Sequence, residues 1–176
     1  PKPQKKEQIT TDLDRVVKAS IPEMAEGGHQ GLVAEGTAAV PFVLERYGRE
    51  KDDEVLARLK AVLMEITKPE QTRLLAQDFA HKDVLHRTFA LWRCAAWPDA
   101  QIKPLAEAAW AKVVKQGEKA DADERYAAAL CTTASGSLAA FDAVFEIAQK
   151  SWAKKGGELR IALEAVRGPE PTKTLL

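Results

Sequence analysis

Three histidines, two cysteines, four tryptophans and one Ser-Gly-Ser triplet are the residues of this chain whose chemistry reaches beyond packing. Zinc sites take His, Cys and carboxylate ligands at a few short, recurring spacings. His29 stands alone, and the HKDVLH spacing of His81 and His86 fits none of them. Asp78 with His81 supplies half of a helical carboxylate–histidine pair, and no second half follows. Ser135-Gly-Ser137 lacks the G-x-S-x-G pattern and lies between helical stretches rather than after a strand, so helix capping accounts for it. Gly27-Gly28 and Gly156-Gly157 lack the spacing and flanking strand of a phosphate loop. Cys94 and Cys131 each sit inside an apolar run, where a reduced thiol acts as a small hydrophobe. No nucleophile, base and orienting group fall together, so the expectation is a protein that is no enzyme and holds no metal or cofactor.

The residue types that favour binding are better represented. Arg58, Arg87 and Arg93 fall off the apolar stripes of their helices, on an expected solvent face. Arg58 and Arg87 share a repeat position, and a row of guanidinium groups grips carboxylates through paired hydrogen bonds. Aromatic anchors dominate protein interfaces. Trp92 and Trp110 lie on apolar stripes and are expected in the core, whereas Trp97, beside Pro98, and Trp152, beside a lysine pair, are expected at the surface. The expected protein-binding set is therefore Arg58, Arg87, Arg93, Trp97 and Trp152.

These residues are carried by helices. Apolar residues recur at helical spacing over Val55–Ile66, Val84–Trp92, Ile102–Val113 and Leu138–Ala148. Thr11 and Ser20 are expected to cap the first helices, with Gly27-Gly28 breaking the chain before a brief segment at HQGLVAE. Pro41 and Pro104 fall in first turns, where the missing N–H is no loss. Thr67-Lys-Pro-Glu70 reads as a capping box opening a helix over 69–80, with Leu74, Leu75 and Phe79 inward. Asp99 caps the next helix. Gly156-Gly157 is expected to interrupt the last one, and Gly168-Pro169 to end it.

Laid under one another, DEVLARLKAVLMEI, KDVLHRTFALWRCA, DERYAAALCTTAS and GELRIALEAVRG bring Val55, Val84, Arg125 and Leu159 into one column. Together with AAVPFVL before the first, this pattern resembles the HEAT repeat family, in particular the short bacterial type with units of the form AVPALL…DPEVRxxAxxAL. The resemblance covers most of the chain and implies an all-α fold, a right-handed α-solenoid of antiparallel helix pairs. It further implies a scaffold that binds another protein through the concave face made by the second helices. The family's Arg after the conserved Val is replaced here by Leu56, Leu85 and Tyr126 and returns only at Arg160, so no internal Asp–Arg ladder is expected. Some proteins of similar build are bilin lyases or DNA glycosylases that use aromatic and acidic concave-face residues; Trp92, Trp97 and a nearby Asp are the matching residues here. A third reading is a structural segment of a longer solenoid.

Composition narrows these readings. Twenty-six basic and 26 acidic residues cancel, without the cationic surplus that nucleic acid binders or a glycosylase groove bring. No run is long and apolar enough to span a membrane. The pattern gives one repeat domain over residues 10–168, flanked by flexible tails at 1–9 and 169–176. The polar opening PKPQKKEQ leaves the compartment open, cytoplasmic or exported after signal-peptide removal.

Overall fold

In unit Pro1–Lys68, the first of two compact units of the chain, the helix α1 (Pro3–Val17) begins well before Thr11. The computed structural model describes residues 3–166, so the expected C-terminal tail and the stop at Gly168 lie outside the described residues. The second unit is Pro69–Leu176, which divides the expected 10–168 stretch after Lys68. Residues 3–9 belong to α1 because Ile9 opens its buried stripe, continued by Asp12 and Val16. Thr11 lies inside the helix, its hydroxyl donating to the Glu7 carbonyl at 3.0 Å.

The helix α2 (Pro22–Glu35) runs straight through Gly27, Gly28 and Gly31. A Cβ at Gly28 would stand 2.6 Å from the Asp12 carbonyl oxygen, and one at Gly31 would stand 2.4 Å from the Asp12 carboxylate. Gly28 lets α2 meet the α1 backbone and Gly31 makes room for the Asp12 carboxylate, the use of glycine opposite to punctuation. Ser20 does not cap α2; Ile21 holds that position without a side-chain bond, and Pro22 fills the first turn. The helix α3 (Val40–Arg49) carries Pro41 in its first turn. Asp52 caps α4 (Asp53–Ile66), accepting from the amides of Glu54 at 2.9 Å and Val55 at 3.0 Å. Leu59, Val62, Leu63 and Ile66 of α4 join Val16, Leu32, Val43 and Leu44 in the core of this unit.

In the second unit the expected helix over 69–80 is broken into a 3-10 turn Pro69–Gln71, the short α5 (Thr72–Leu75) and a 3-10 stretch Ala76–Ala80. It buries Leu75, Ala76 and Phe79 and leaves Leu74 55% exposed. The Thr67 hydroxyl donates back to the Leu63 carbonyl at 2.6 Å and closes α4. Then come α6 (Val84–Ala95), α7 (Lys103–Gln116), α8 (Ala122–Ala134) and α9 (Phe141–Ala165). Asp121 caps α8 through the amides of Asp123 and Glu124, and Asp99 caps the turn before α7. The alanine-rich α8 is buried continuously from Ala127 to Ser135 and packs against α6, α7 and α9. Small side chains admit three neighbours where leucines would hold them off.

The expected break at Gly156-Gly157 falls instead at Ser151, whose φ of −136° interrupts α9. A straight helix of 25 residues would be about 37 Å long. Yet the Ala165 carbonyl lies 4.0 Å from where a Cβ on Gly136 would stand, so α9 bends back at Ser151 and its end returns towards the turn that precedes it. Gly136 takes φ +82°, a conformation that only glycine holds freely, in the turn between α8 and α9. Inward positions are held by Ala106, Ala109 and Val113 of α7 and by Val144, Ala148, Leu159 and Ala162 of α9. Leu105, Leu138 and Phe145, placed inward by the sequence pattern, are exposed. The chain is all-α, with no strand among the described residues and no helix there long and apolar enough to cross a membrane.

Candidate interaction face

Arg58 belongs to the first unit. It lines a cleft of about 450 Å³ between the end of α1, α2 and α4, together with Val16, Ile21, Ala25, His29 and Glu54. Its guanidinium donates to the Val16 carbonyl at 3.3 Å and to the Glu54 carboxylate one turn earlier. His29 pairs with Glu65 at 3.0 Å.

Arg87 is not on a solvent face. It is buried, with two guanidinium nitrogens on the Glu124 carboxylate, the Nη2–Oε2 bond measuring 2.8 Å. Its Nη1 donates to the carbonyls of Lys82 at 2.9 Å and His81 at 3.2 Å. This arginine staples the turn before α6 to α8, with four of its five N–H donors already used inside the protein. Arg93, half-buried, places its guanidinium carbon 4.3 Å from the Trp97 ring centre, a cation–π contact that fixes both expected residues at the end of α6. Burial holds the Arg93 pKa below its usual value.

A contiguous polar–aromatic patch joins α6, α8 and the second half of α9. Trp92 is half-buried rather than in the core, and its indole N–H donates to Glu158 Oε1 at 3.1 Å. The Tyr126 hydroxyl donates to Glu158 Oε2 at 2.8 Å. Burial, followed by the hydrogen bond and charge of Glu158, pushes the Tyr126 phenol well above its ordinary value of 10.0, so it stays a neutral donor. The Lys155 ammonium stands 3.5 Å from the centre of the Tyr126 ring. Trp152, one turn earlier on α9, is 51% exposed, and its indole lies along the bare backbone of Gly156.

Of the protein-binding set expected from sequence, Trp152 falls in this patch, and Trp92, named there for the alternative enzymatic reading, joins it. Tyr126, Lys155 and Glu158 were missed. Two signals pointed to them: Tyr126 is the aromatic departure in the repeat column, and Trp152, Lys155 and Glu158 follow one another at helical i, i+3 steps.

The histidine pair is also drawn together. His81 and His86 stack with ring centres 3.8 Å apart and planes 19° apart. The Asp83 amide donates to His81 Nδ1 at 3.2 Å, which assigns that nitrogen as acceptor. His86 is buried, its Nε2 lying 3.3 Å from the Asp78 carboxylate without the alignment of a hydrogen bond. Cys94 and Cys131 are buried free thiols.

Fold and face together define an all-helical protein with an aromatic and carboxylate patch spanning three helices. No protein-family model, no curated protein and no solved structure matches the chain.

Proposed function

We propose that this protein is a non-enzymatic helical-repeat module of the HEAT type that binds another protein through the face made by its second helices. Supporting the solenoid reading, α7 packs on α8, and α8 packs on both α6 and α9. The single observation that carries the binding reading is the Trp92–Tyr126–Trp152–Lys155–Glu158 patch. It offers exposed aromatic area and an oriented carboxylate on three rigid elements, the composition of an interface centre.

The test compares the intact protein with a Trp152→Ala/Glu158→Gln variant and with a Leu105→Ser control on α7. Proteins retained from a native extract are identified, then titrated as purified components. The reading holds if a retained protein binds directly, is lost with the patch variant and is kept by the control. It fails if the patch variant and the control behave alike, or if turnover of a small substrate or of nucleic acid maps to the patch instead.

A further inference from the structure

Glu158 is an oriented anion with no cation on it. Both carboxylate oxygens are held by neutral donors, the Trp92 indole at 3.1 Å and the Tyr126 phenol at 2.8 Å, and no ion pair reaches it among the described residues. Neutral hydrogen bonds fix a carboxylate without cancelling its charge. A carboxylate accepts about four hydrogen bonds, so lone pairs remain for a further donor.

Beside it, the face of the Tyr126 ring already carries a cation. The Lys155 ammonium lies 3.5 Å from the ring centre, inside the range where an ammonium is held by the negative face of an aromatic ring. That lysine makes no ion pair with a carboxylate among the described residues, although Glu158 stands one turn away on its own helix. It is a tethered cation on a flexible stem, resting on the aromatic member of the patch rather than on the acidic one. Trp152 adds a second, largely exposed π-surface to the same helix.

We infer that this patch receives a lysine or arginine side chain of the partner protein, and that Lys155 occupies the Tyr126 face while no partner is bound. The inference rests on the protein-binding reading above and adds the partner's chemistry. An acidic segment or a nucleic acid phosphate would meet the fixed charge of Glu158 and be repelled, whereas a guanidinium can stack on the ring and donate to the carboxylate together.

The experiment titrates the protein with a short Gly-Arg/Gly-Lys peptide and with a Gly-Glu peptide of equal length, by tryptophan fluorescence and calorimetry at low and high salt. The basic peptide is expected to bind, more weakly as salt rises, and the acidic peptide to give no signal. Lys155→Ala, which removes the resident cation, should tighten the basic peptide about threefold. Glu158→Gln and Tyr126→Leu should each weaken it about fivefold, whereas Tyr126→Phe, which keeps the ring, should stay within about twofold. Circular dichroism of each variant establishes that it is folded, and Tyr126→Phe serves where Tyr126→Leu does not fold. Equal binding of both peptides, no binding of either, an unchanged affinity in Lys155→Ala, or a loss in Tyr126→Phe equal to that of a folded Tyr126→Leu would each overturn the inference. If one of these occurs while a protein partner is still retained through Trp152 and Glu158, the partner's chemistry is wrong and the protein-binding reading stands. If the basic peptide behaves as expected and no partner is retained, the failure lies with that reading.

Discussion

Arg87 grips Glu124 through two nitrogens and the carbonyls of His81 and Lys82 through a third, with both side chains almost out of contact with water. Removing either charge strands the other in the interior, so Glu124→Ala and Arg87→Met are each expected to lower stability by about 3–5 kcal/mol. The double replacement Arg87→Met/Glu124→Leu should lose much less than the sum of the two. Urea unfolding of the three variants checks this, and additive losses would remove the pair from the account of how α8 is anchored. The cysteines give a second prediction. Burial pushes Cys94 up to about 12, helped by the charges of Asp78 and Asp99, and raises Cys131 well above its ordinary value. In the unfolded chain both thiols titrate near 9.0. Above that pH the unfolded chain releases protons that the folded chain retains, so unfolding gains and stability falls between about 9 and 12. The slope is up to about 1.4 kcal/mol per pH unit for each thiol. Denaturation at about pH 8 and about pH 10 should therefore show a smaller drop for Cys94→Ala/Cys131→Ala than for the parent chain, with native thiols unreactive towards Ellman's reagent at the lower pH.

At the scale of the element, the glycines of α2 separate two roles that a sequence leaves indistinguishable. Gly28 lies where a Cβ would strike the Asp12 backbone, while Gly27, its neighbour, has open space around it. Gly28→Ala is expected to destabilise by about 1–3 kcal/mol through forced separation of α1 and α2. Gly27→Ala, in a helix interior, should stabilise by about 0.5–1 kcal/mol. Thermal unfolding followed by circular dichroism reads both; a shift in the same direction would show that α1 and α2 do not meet at Gly28. The prolines of α3 and α7, the cap Asp99 and the α4 stripe were legible because each depends on neighbours within one turn. The rest depended on what another element presents. Gly27-Gly28 reads as a break until α1 is seen against it. Ser151 carries no proline or glycine, yet the chain turns there because Val144 and Ala148 on one side and Leu159 and Ala162 on the other must all be buried. Residues 69–80 have helical apolar spacing, yet they fold as two 3-10 stretches around the one-turn α5, with Leu75, Ala76 and Phe79 buried.

Over the whole molecule the charges cancel, so composition gave no hint of a local field, and Glu158 became visible only when three helices brought Trp92 and Tyr126 to it. Trp152 was legible because a tryptophan beside two lysines fits a surface position; Arg87 was not, because one helix's polar face is another helix's buried contact. The stacked-pair reading makes a further statement about how stability is distributed. In a stack, each pair is held by its neighbours alone, so damage to a middle layer reaches both sides and damage to an end layer stays local. Leu130 of α8 and Leu159 of α9 are equally buried leucines, and truncating either to alanine should remove about 2–5 kcal/mol of packing. Their reach should differ. Because α8 touches α6, α7 and α9, Leu130→Ala should raise amide hydrogen exchange throughout 84–165. Leu159→Ala should raise it in 141–165 while 84–116 keeps its protection. Mass-spectrometric exchange on the two variants reads this directly. If both loosen the same amides across the unit, its helices share one closed core and a side-by-side array is the wrong description of them.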